Sequence, residues 1–395
     1  MTLTTIITLV IIIIPIITTI FFILPIKGFR KLKIDTPISK YDERDIPFSR
    51  MKLIEGTDRF KEYYKRKPEL LKADLNFLSK PGLCGEGSIA YNPLVYASTD
   101  ATFFTVEQFK HKVDGELASK KLELDPKEIT HYLKKWAKHL GVLDIGITKL
   151  QDYHKYSIGG RDYNYNEEIK LDHRYAIAFT VEMDHYMTAT GPLAPTVLES
   201  AQQYLNAGTI AIQLSAFIRN LGHESRAHID GNYQVLCPLV ARDAGLGEVG
   251  RMGLMMTPKL GPRVRIAVIT TNIPLVTDEV KEDKTMIDFC NKCMKCAEVC
   301  PSNSISFEDR ENINGVERWQ IDATKCFTYW CSNGTDCGKC MSVCPYSHPN
   351  NLLHNFIRFG IRNNVYFRKL AIILDDYFYG KKPLSKPVPD WMNMK

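Results

Sequence analysis

The sequence has 395 residues, of which 45% are hydrophobic and 24% charged, and its net charge is +6. This length and composition predict two or three structural units with buried cores and exclude a chain that is disordered throughout. The small basic excess, without a dense lysine or arginine block, argues against nucleic-acid binding. Nine of the eleven cysteines lie between Cys290 and Cys344. That concentration excludes random usage, and its spread differs from a small disulfide-rich domain.

The first segment, residues 1–26, is apolar and carries no charged side chain. As a helix it would extend for roughly 39 Å, enough to cross a hydrocarbon core of about 30 Å. A cleaved signal peptide is the alternative, but a basic start, a small-residue cleavage site and an Arg-Arg pair are all missing. Basic residues follow at Lys27, Arg30, Lys31 and Lys33. The positive-inside rule therefore predicts a single-pass membrane protein whose soluble domain faces the cytoplasm.

The rest of the chain divides by pattern. Residues 27–135 are polar and interrupted by prolines, and Asp125-Pro126 near their end has the pattern of a helix start. Between residues 136 and 280, short apolar runs alternate with helical patterns, which favours an α/β or α+β layered core. Residues 281–350 are dominated by cysteines, and residues 351–395 form a C-terminal extension.

A long helix is predicted over residues 196–221, with an inward stripe that includes Tyr204 and Gly208. Gly208 is expected to leave space beside the phenol. Tyr204 is then either a core residue, with its hydroxyl bonded to Ser200 or a carbonyl, or a reactive group; the pattern alone favours the core. Further on, Arg263 and Arg265 stand at the start of a probable strand, where a solvated strand edge is the simplest interpretation.

The glycines Gly245, Gly247 and Gly250 fit the G-x-G-x-x-G pattern. A dinucleotide site would need a strand directly before them and an acidic residue about 20 positions later, and the sequence has neither. We therefore expect a tight turn that allows the backbone to approach a large flat ligand.

The cysteines form two runs. The first, Cys290-x2-Cys293-x2-Cys296-x3-Cys300-Pro301, matches the bacterial iron–sulfur pattern in full, and in that pattern the fourth cysteine binds a different cluster from the first three. A four-cysteine zinc site is less favoured, because such sites usually come as two separated C-x-x-C pairs.

The second run, Cys337-x2-Cys340-x3-Cys344-Pro345, has glycine at position 334, where the first cysteine would stand. One 4Fe-4S cluster is then assigned Cys290, Cys293, Cys296 and Cys344. The other is assigned Cys300, Cys337, Cys340 and either Cys326 or Cys331. Two clusters predict an electron relay and so a redox function. Cys84 and Cys237 stand alone and are expected to be inert buried thiols.

These features together resemble the corrinoid-dependent reductive dehalogenases, which are related to epoxyqueuosine reductases. The resemblance covers nearly everything from about residue 41 to the end, and the stretch DAGLGEVGR ahead of the cysteines is its most restrictive part. The other matching stretches are DERDIPFSRM, the Glu199-Ser200 pair with Tyr204, IRNLGH, GPRVR, the two cysteine runs, KCFTYW and LDDYFYG.

The resemblance implies an α+β protein with a nitroreductase-like corrinoid-binding core, a C-terminal two-cluster ferredoxin-like module and, in this chain, an N-terminal transmembrane helix. It implies base-off cobalamin, in agreement with the missing D-x-H-x-x-G run, and places Gly245, Gly247 and Gly250 beside it. It also implies roles for individual residues. These are Tyr204 as proton donor, Arg263 as the group that helps to ionise it, Asn232 in the substrate pocket and Cys326 as the fourth cluster ligand.

The function that the resemblance implies is that of a reductive dehalogenase, an oxidoreductase. It would remove halide from a small organohalide with cob(I)alamin fed by two 4Fe-4S clusters, and reduced ferredoxin, flavodoxin or a membrane donor would supply electrons. Expected partners include the lipid bilayer but no nucleic acid. One alternative is another corrinoid iron–sulfur reductase, similar to epoxyqueuosine reductase; the other is a membrane-tethered iron–sulfur electron carrier. The family's respiratory members usually carry a twin-arginine signal, which this sequence lacks.

Overall fold

A computed structural model of the chain describes residues 3–26, 35–279 and 284–393. The helices ahead of the central sheet are α1 (Leu3–Ile23), α2 (Pro47–Arg50), α3 (Asp58–Arg66), α4 (Leu71–Leu78), α5 (Pro93–Phe109) and α6 (Pro126–His139). The central elements are β1 (Asp144–Lys149), β2 (Tyr175–Glu182), α7 (His185–Ala189), α8 (Pro195–Asn220), β3 (Ser225–His228), α9 (Cys237–Asp243), β4 (Glu248–Val249), β5 (Met255–Met256) and β6 (Val264–Thr271). The remaining elements are α10 (Lys284–Cys293), α11 (Lys295–Glu298), β7 (Glu311–Ile313), β8 (Val316–Arg318), α12 (Ala323–Asn333), α13 (Lys339–Ser342), α14 (Leu352–Asn363) and α15 (Val365–Tyr379).

A four-stranded antiparallel sheet, with strand order β1-β2-β6-β3, forms the centre of the fold. Successive residues of a strand face opposite sides of the sheet. On β2, Ile177 and Phe179 pack towards α6 and α8, whereas Ala176 and Ala178 pack towards α9. Helices therefore cover both faces of the sheet, and the α+β class expected from the sequence is confirmed.

Two predicted helices occupy their expected positions. The carboxylate of Asp125 accepts hydrogen bonds from the backbone N–H groups of Lys127 and Glu128, so it caps the start of α6. Helix α8 has 26 residues. It is followed by Gly222, where φ is +79° and a Cβ would lie 2.6 Å from Lys121 Cα, so the turn after α8 requires glycine.

The polar stretch before α6 contains more structure than its composition suggested. The ion pair between Arg50 and Asp74 is almost completely buried, with side chains 3% and 0% exposed. The hydroxyl of Tyr64 donates a hydrogen bond of 2.9 Å to the same Asp74 carboxylate. This pair joins α2 to α4, which explains why charged residues occur in a folded part of the chain.

The cysteine-rich segment and the C-terminal extension share one core. Met286 and Phe289 of α10 belong to the same buried cluster as Ile361 of α14 and Phe367 and Ala371 of α15. The predicted boundary at residue 350 thus separates two segments that pack together. At the junction of α14 and α15, Val365 N–H donates to the carbonyl of Ile26, and Asn364 Nδ2 donates to the carbonyl of Leu24.

Helix α1 has 21 residues and contains Pro15. In the described ranges, no helix combines the length and apolar character needed to cross a bilayer. The basic residues on which the predicted orientation depends, between 27 and 33, lie outside the described residues. The N-terminal transmembrane helix is not confirmed.

Candidate active site and iron–sulfur centres

The first set of cysteines meets across a break between two helices. Cys290 and Cys293 lie on α10 and Cys296 lies on α11, and Met294 between the helices has a positive φ of +54°. This break returns the chain towards the same side, where a continuous helix would spread the thiols around its axis. Burial raises the pKa of the Cys344 thiol well above its usual value, and the neighbouring thiols of the other three raise it further.

The second set brings Cys326 to the expected partners. Burial, followed by the thiol of Cys300, raises the pKa of Cys326 to about 12. Cys337 in turn interacts electrostatically with both Cys326 and Cys300. Cys340 interacts with these three thiols and also with Cys296 of the first set. The two sets therefore adjoin each other.

Cys331 lies elsewhere, 2% exposed in a cluster with Phe77 and Phe327. Burial alone raises its pKa, to about 11. The structure thus places Cys326, and not Cys331, beside the other three thiols of the second set.

The two groups of thiols have the ligand composition of two 4Fe-4S clusters. None of the eleven cysteines, all of which lie in the described residues, forms a disulfide. Within the described ranges, no three His, Cys, Asp or Glu side chains are close enough to hold one metal ion. Four cysteine thiolates are the usual ligands of a 4Fe-4S cluster, so the two groups of four cysteines suit that cofactor.

Tyr204 lies on α8 and has one charged neighbour, Arg265, and one aromatic neighbour, Phe103. The Arg265 guanidinium carbon is 4.8 Å from the centre of its ring, and the ring of Phe103 on α5 lies 6.3 Å away on centroids. Among the described residues, none forms a hydrogen bond with the Tyr204 hydroxyl. Ser200, the expected partner of a core tyrosine, donates instead to the Asp336 carboxylate. This arrangement argues against the core-packing interpretation of Tyr204.

Opposing charges act on the Tyr204 phenol. Arg265 lowers the pKa of Tyr204, but burial and the carboxylates of Asp230 and Asp336 together raise the pKa by more, so the net pKa lies above the usual value. The phenol is therefore protonated at neutral pH and can donate its proton. The sequence suggested an arginine that would lower the net pKa, and here burial together with the two carboxylates outweighs it.

Arg263 points to a different part of the chain. Its side chain is 1% exposed, and its Nε donates to the carbonyl of Ser347 while Nη1 donates to Glu182 and to the carbonyl of Met183. It joins the start of β6 to the turn that follows Cys344. The structure thus places Arg265, and not Arg263, at Tyr204. Gly208 does not face the Tyr204 phenol, contrary to the prediction. A Cβ on Gly208 would instead lie 3.7 Å from Ile229.

Asn232 borders a cleft of roughly 360 Å³. Its amide is fixed at both ends, since Oδ1 accepts from Arg226 and Nδ2 donates to the carbonyl of Lys110. The cleft also has Arg161 in its lining. Arg161 acts electrostatically on both Tyr204 and Asp230, so one residue of the cleft wall influences the pKa of the phenol. Asn232 thus lines a cleft, and its role in binding substrate stays a prediction.

Glu43 organises this cleft, although the sequence did not single it out. It is fully buried and accepts hydrogen bonds of 2.9 Å from Gly160 N and Arg161 Nε. Arg161 also donates to the Tyr233 hydroxyl. The only sequence signal for Glu43 is its place in the DERDIPFSRM stretch, which is too short to reveal a contact with residues more than 110 positions away.

The glycine run makes its close contacts within the chain. Gly245 has φ +77°, and a Cβ on Gly247 would lie 2.1 Å from Met256 O. A Cβ on Gly250 would lie 2.6 Å from Met256 Cγ and 3.4 Å from Cys290 Sγ. These glycines therefore allow β4 and β5 to pack tightly beside the first cysteine set, and their contact with a corrinoid stays a prediction.

Two buried polar atoms near Tyr204 are consistent with a site that receives a further group. Within the described part of the chain, Arg265 Nε and Asp336 Oδ1 have no hydrogen-bond partner. Buried polar atoms are normally paired, so an unpaired donor and acceptor at one place suit a bound cofactor or substrate. This observation fits the corrinoid that the resemblance implies.

Comparisons with known proteins agree on the family. The 4Fe-4S dicluster domain family matches residues 289–348. Tetrachloroethene reductive dehalogenase of Sulfurospirillum multivorans is 30% identical over 294 residues, which cover 65% of this chain and 58% of that protein. The corresponding enzyme of Dehalobacter restrictus is 32% identical over 193 residues, or 46% of this chain and 34% of that protein. Epoxyqueuosine reductase of Shigella dysenteriae is 24% identical over 234 residues, or 52% and 58%.

Among solved structures, a catabolic reductive dehalogenase in complex with 3-bromo-4-hydroxybenzoic acid aligns with a TM-score of 0.73 at 22% identity. The alignment covers 92% of this chain and 50% of that one. This chain therefore shares the fold but spans only about one third to three fifths of the length of these relatives.

Proposed function

Because the chain belongs to the reductive dehalogenase family, which is related to the epoxyqueuosine reductases, we propose that it is itself a reductive dehalogenase. It would use cobalamin and two 4Fe-4S clusters to remove halide from an organohalide. The observation that carries the proposal is the position of Tyr204, whose hydroxyl has no hydrogen-bond partner in the described residues and whose ring faces Arg265. This phenol lies on the helix whose Ser200 contacts the residue before Cys337, and the charge of Arg161 in the cleft wall acts on it.

The net reaction replaces a carbon–halogen bond with a carbon–hydrogen bond, consumes two electrons and one proton, and releases halide. Cobalamin, when bound, supplies the chemistry that breaks the carbon–halogen bond. The chain supplies the electron path through its two cysteine sets, which adjoin at Cys296 and Cys340. It supplies the proton from the Tyr204 hydroxyl, and Arg265 stabilises the phenolate that remains.

The substrate would enter by the cleft that Asn232 and Arg161 border. A solved relative holds a halogenated hydroxybenzoate, and we propose a small organohalide of comparable size for this chain. The fixed amide of Asn232 would orient it, since both ends of that amide are already held by Arg226 and Lys110. Reduced ferredoxin, flavodoxin or a membrane component would deliver the electrons.

The location of the protein in the cell belongs to the same proposal. The uncharged residues 1–26 and the four basic residues after them support attachment to the membrane with the larger part of the chain on the cytoplasmic side.

The test is turnover by purified protein loaded with cobalamin, iron and sulfide. Tetrachloroethene and 3-bromo-4-hydroxybenzoic acid are supplied with reduced methyl viologen, and released halide is measured together with the cobalamin spectrum. Halide release that requires cobalamin would support the proposal. Bound cobalamin without halide release, but with reduction of an epoxyqueuosine substrate, would favour the related reductase. Protein that binds both clusters and no cobalamin would be an electron carrier.

A further inference from the structure

One carboxylate connects the Tyr204 helix with the loop of the second cysteine set. Arg265 Nη2 donates to Asp336 Oδ2 at 3.0 Å and also to Ser200 Oγ. Ser200 Oγ donates to the same Asp336 oxygen. The three groups close a triangle of hydrogen bonds in which Arg265 and Asp336 form an ion pair with side chains 14% and 11% exposed.

This triangle determines where the arginine can lie. The Arg265 side chain is long and would otherwise sample many rotamers, at a considerable entropic cost for any one of them. Its two bonds from Nη2 fix the end of that side chain, and the fixed guanidinium lies over the Tyr204 ring. Ser200 stands one helical turn before Tyr204, so the helix itself supplies part of the fixation.

The Asp336 end of the triangle is equally well held. The backbone at Gly338, two residues after Asp336, packs closely against α8, because a Cβ there would lie 2.6 Å from Thr196 Cγ2. Thr335 Oγ1 donates to the carbonyl of Pro192 and accepts from Cys337 N–H. Asp336 also acts electrostatically on the thiols of Cys337 and Cys326. Asp336 therefore belongs to the loop that carries Cys337, and it also forms an ion pair with Arg265, the neighbour of Tyr204.

From this geometry, and resting on the proposed function, we propose that Asp336 is a positioning residue. Together with Ser200 it holds Arg265 over Tyr204, and it ties this pair to the backbone that carries Cys337. Asp336 touches neither Tyr204 nor a reacting atom in this arrangement. Its charge raises the pKa of Tyr204 from a distance, and its positioning role is exerted through the contact with Arg265. These contacts thereby fix the position of Tyr204, which would deliver the proton, relative to the Cys337 loop, which would deliver the electrons.

The first measurement does not depend on turnover. Tyr204 is replaced by 3-fluorotyrosine in the full-length, cluster-loaded protein, and the ¹⁹F shift reports on the charge over the ring. Arg265→Met defines the signal without the cation. Asp336→Ala should move the signal towards that position, and Asp336→Asn, which keeps one acceptor, should move it less. A signal in Asp336→Ala that equals the wild-type signal would overturn the proposal.

The second measurement is a double-mutant cycle on turnover. Loss of a partner that orients a metal ligand typically costs about 10- to 100-fold in activity, and we expect a similar range in kcat when Asp336→Ala removes the partner that orients Arg265. If Asp336 acts through Arg265, Asp336→Ala should cost little more in the Arg265→Met background, because the contact is already gone. Fully additive losses would assign Asp336 a role independent of Arg265 and would contradict the proposal.

Controls separate positioning from loss of structure. Glu311→Gln changes an exposed carboxylate on β7 of the same module and should leave the signal, the iron content and turnover unchanged. If Asp336→Ala loses iron, Ser200→Ala is the second variant, because Ser200 also bonds Arg265 but lies on α8 and not in the cluster loop. This variant must shift the ¹⁹F signal towards that of Arg265→Met. An unchanged signal there would reject the proposal. Wild-type protein without dehalogenation would refute the proposed function, while the ¹⁹F result would still decide the role of Asp336.

Discussion

The guanidinium carbon of Arg265 lies 4.8 Å from the centre of the Tyr204 ring, over its face. A cation in this position stabilises a phenolate more than a phenol. The nearby carboxylates of Asp230 and Asp336, together with burial, act in the opposite direction and raise the net pKa. The phenol therefore keeps its proton at neutral pH, and a cation is already in place to stabilise the phenolate when the proton leaves.

Tyr204→Phe should abolish most turnover and leave folding intact. Positioned acid catalysis contributes about 10²- to 10⁴-fold in rate, and we expect a loss in that range. Because no described residue hydrogen-bonds the hydroxyl, its removal should change the free energy of unfolding by less than the ~1 kcal/mol of an ordinary hydrogen bond. Halide release is compared at matched cobalamin and iron content. Activity within about threefold of wild type would return Tyr204 to a packing role, since acid catalysis contributes far more than that.

The pH dependence of turnover should follow the raised pKa of Tyr204. Its acidic form is the active one, so kcat/KM should fall only above the pH at which an ordinary phenol titrates, about 10. Arg265→Met removes the strongest influence that lowers this pKa, so the alkaline limb should move to higher pH while the maximal rate decreases. A limb that moves to lower pH in Arg265→Met would contradict this assignment. Tyr204→Phe serves as the control and should lack the limb.

The fourth ligand of the second cluster should be Cys326. Cys326→Ser should lose up to four of the eight irons that two 4Fe-4S clusters hold, because Cys326 lies with Cys300, Cys337 and Cys340. Cys331→Ser should retain both clusters, since Cys331 packs with Phe77 and Phe327. Iron and acid-labile sulfide are counted in both proteins. The opposite pattern of loss would reassign the ligand.

The buried Arg50–Asp74 pair should be important for stability. Asp74→Ala would leave the charge of Arg50 buried without its partner, which typically costs about 3–5 kcal/mol. Asp58→Ala is the matched control, because its ion pair with Lys61 is 3.9 Å long and highly exposed, and we expect about 0.5 kcal/mol or less. Urea unfolding of both variants gives the two free energies. Equal values would show that the buried pair adds no more than a surface pair.

Membrane attachment with the larger part of the chain inside the cell can be tested by protease protection. Intact cells treated with protease should retain the full-length chain in the membrane fraction, and lysed cells should show its cleavage. Cleavage in intact cells would mean that the chain is exported. Recovery in the soluble fraction after lysis would mean that residues 1–26 do not anchor it.

Local signals in the sequence predicted local structure well. Asp125 caps α6 as expected, and the cysteine spacing anticipated both thiol sets, because such patterns depend on neighbours within a few residues. The choice between Arg263 and Arg265 could not be made in this way. The two residues are close in the chain, and only contacts with Ser347 and with Tyr204 separate their roles. Asp336 was missed for the same reason, since its contact with Ser200 joins positions 136 residues apart.

The contact between the two ends of the chain has a consequence for biosynthesis. The carbonyl of Leu24 accepts from Asn364, which is 340 residues later, and Val365 bonds Ile26 beside it. At about 5–20 residues per second, a ribosome takes on the order of tens of seconds to complete that interval. For most of this time the segment around Leu24 is outside the ribosome, whereas Asn364 has not yet been synthesised. A targeting factor or chaperone can therefore bind the nascent segment without competition from its native contact.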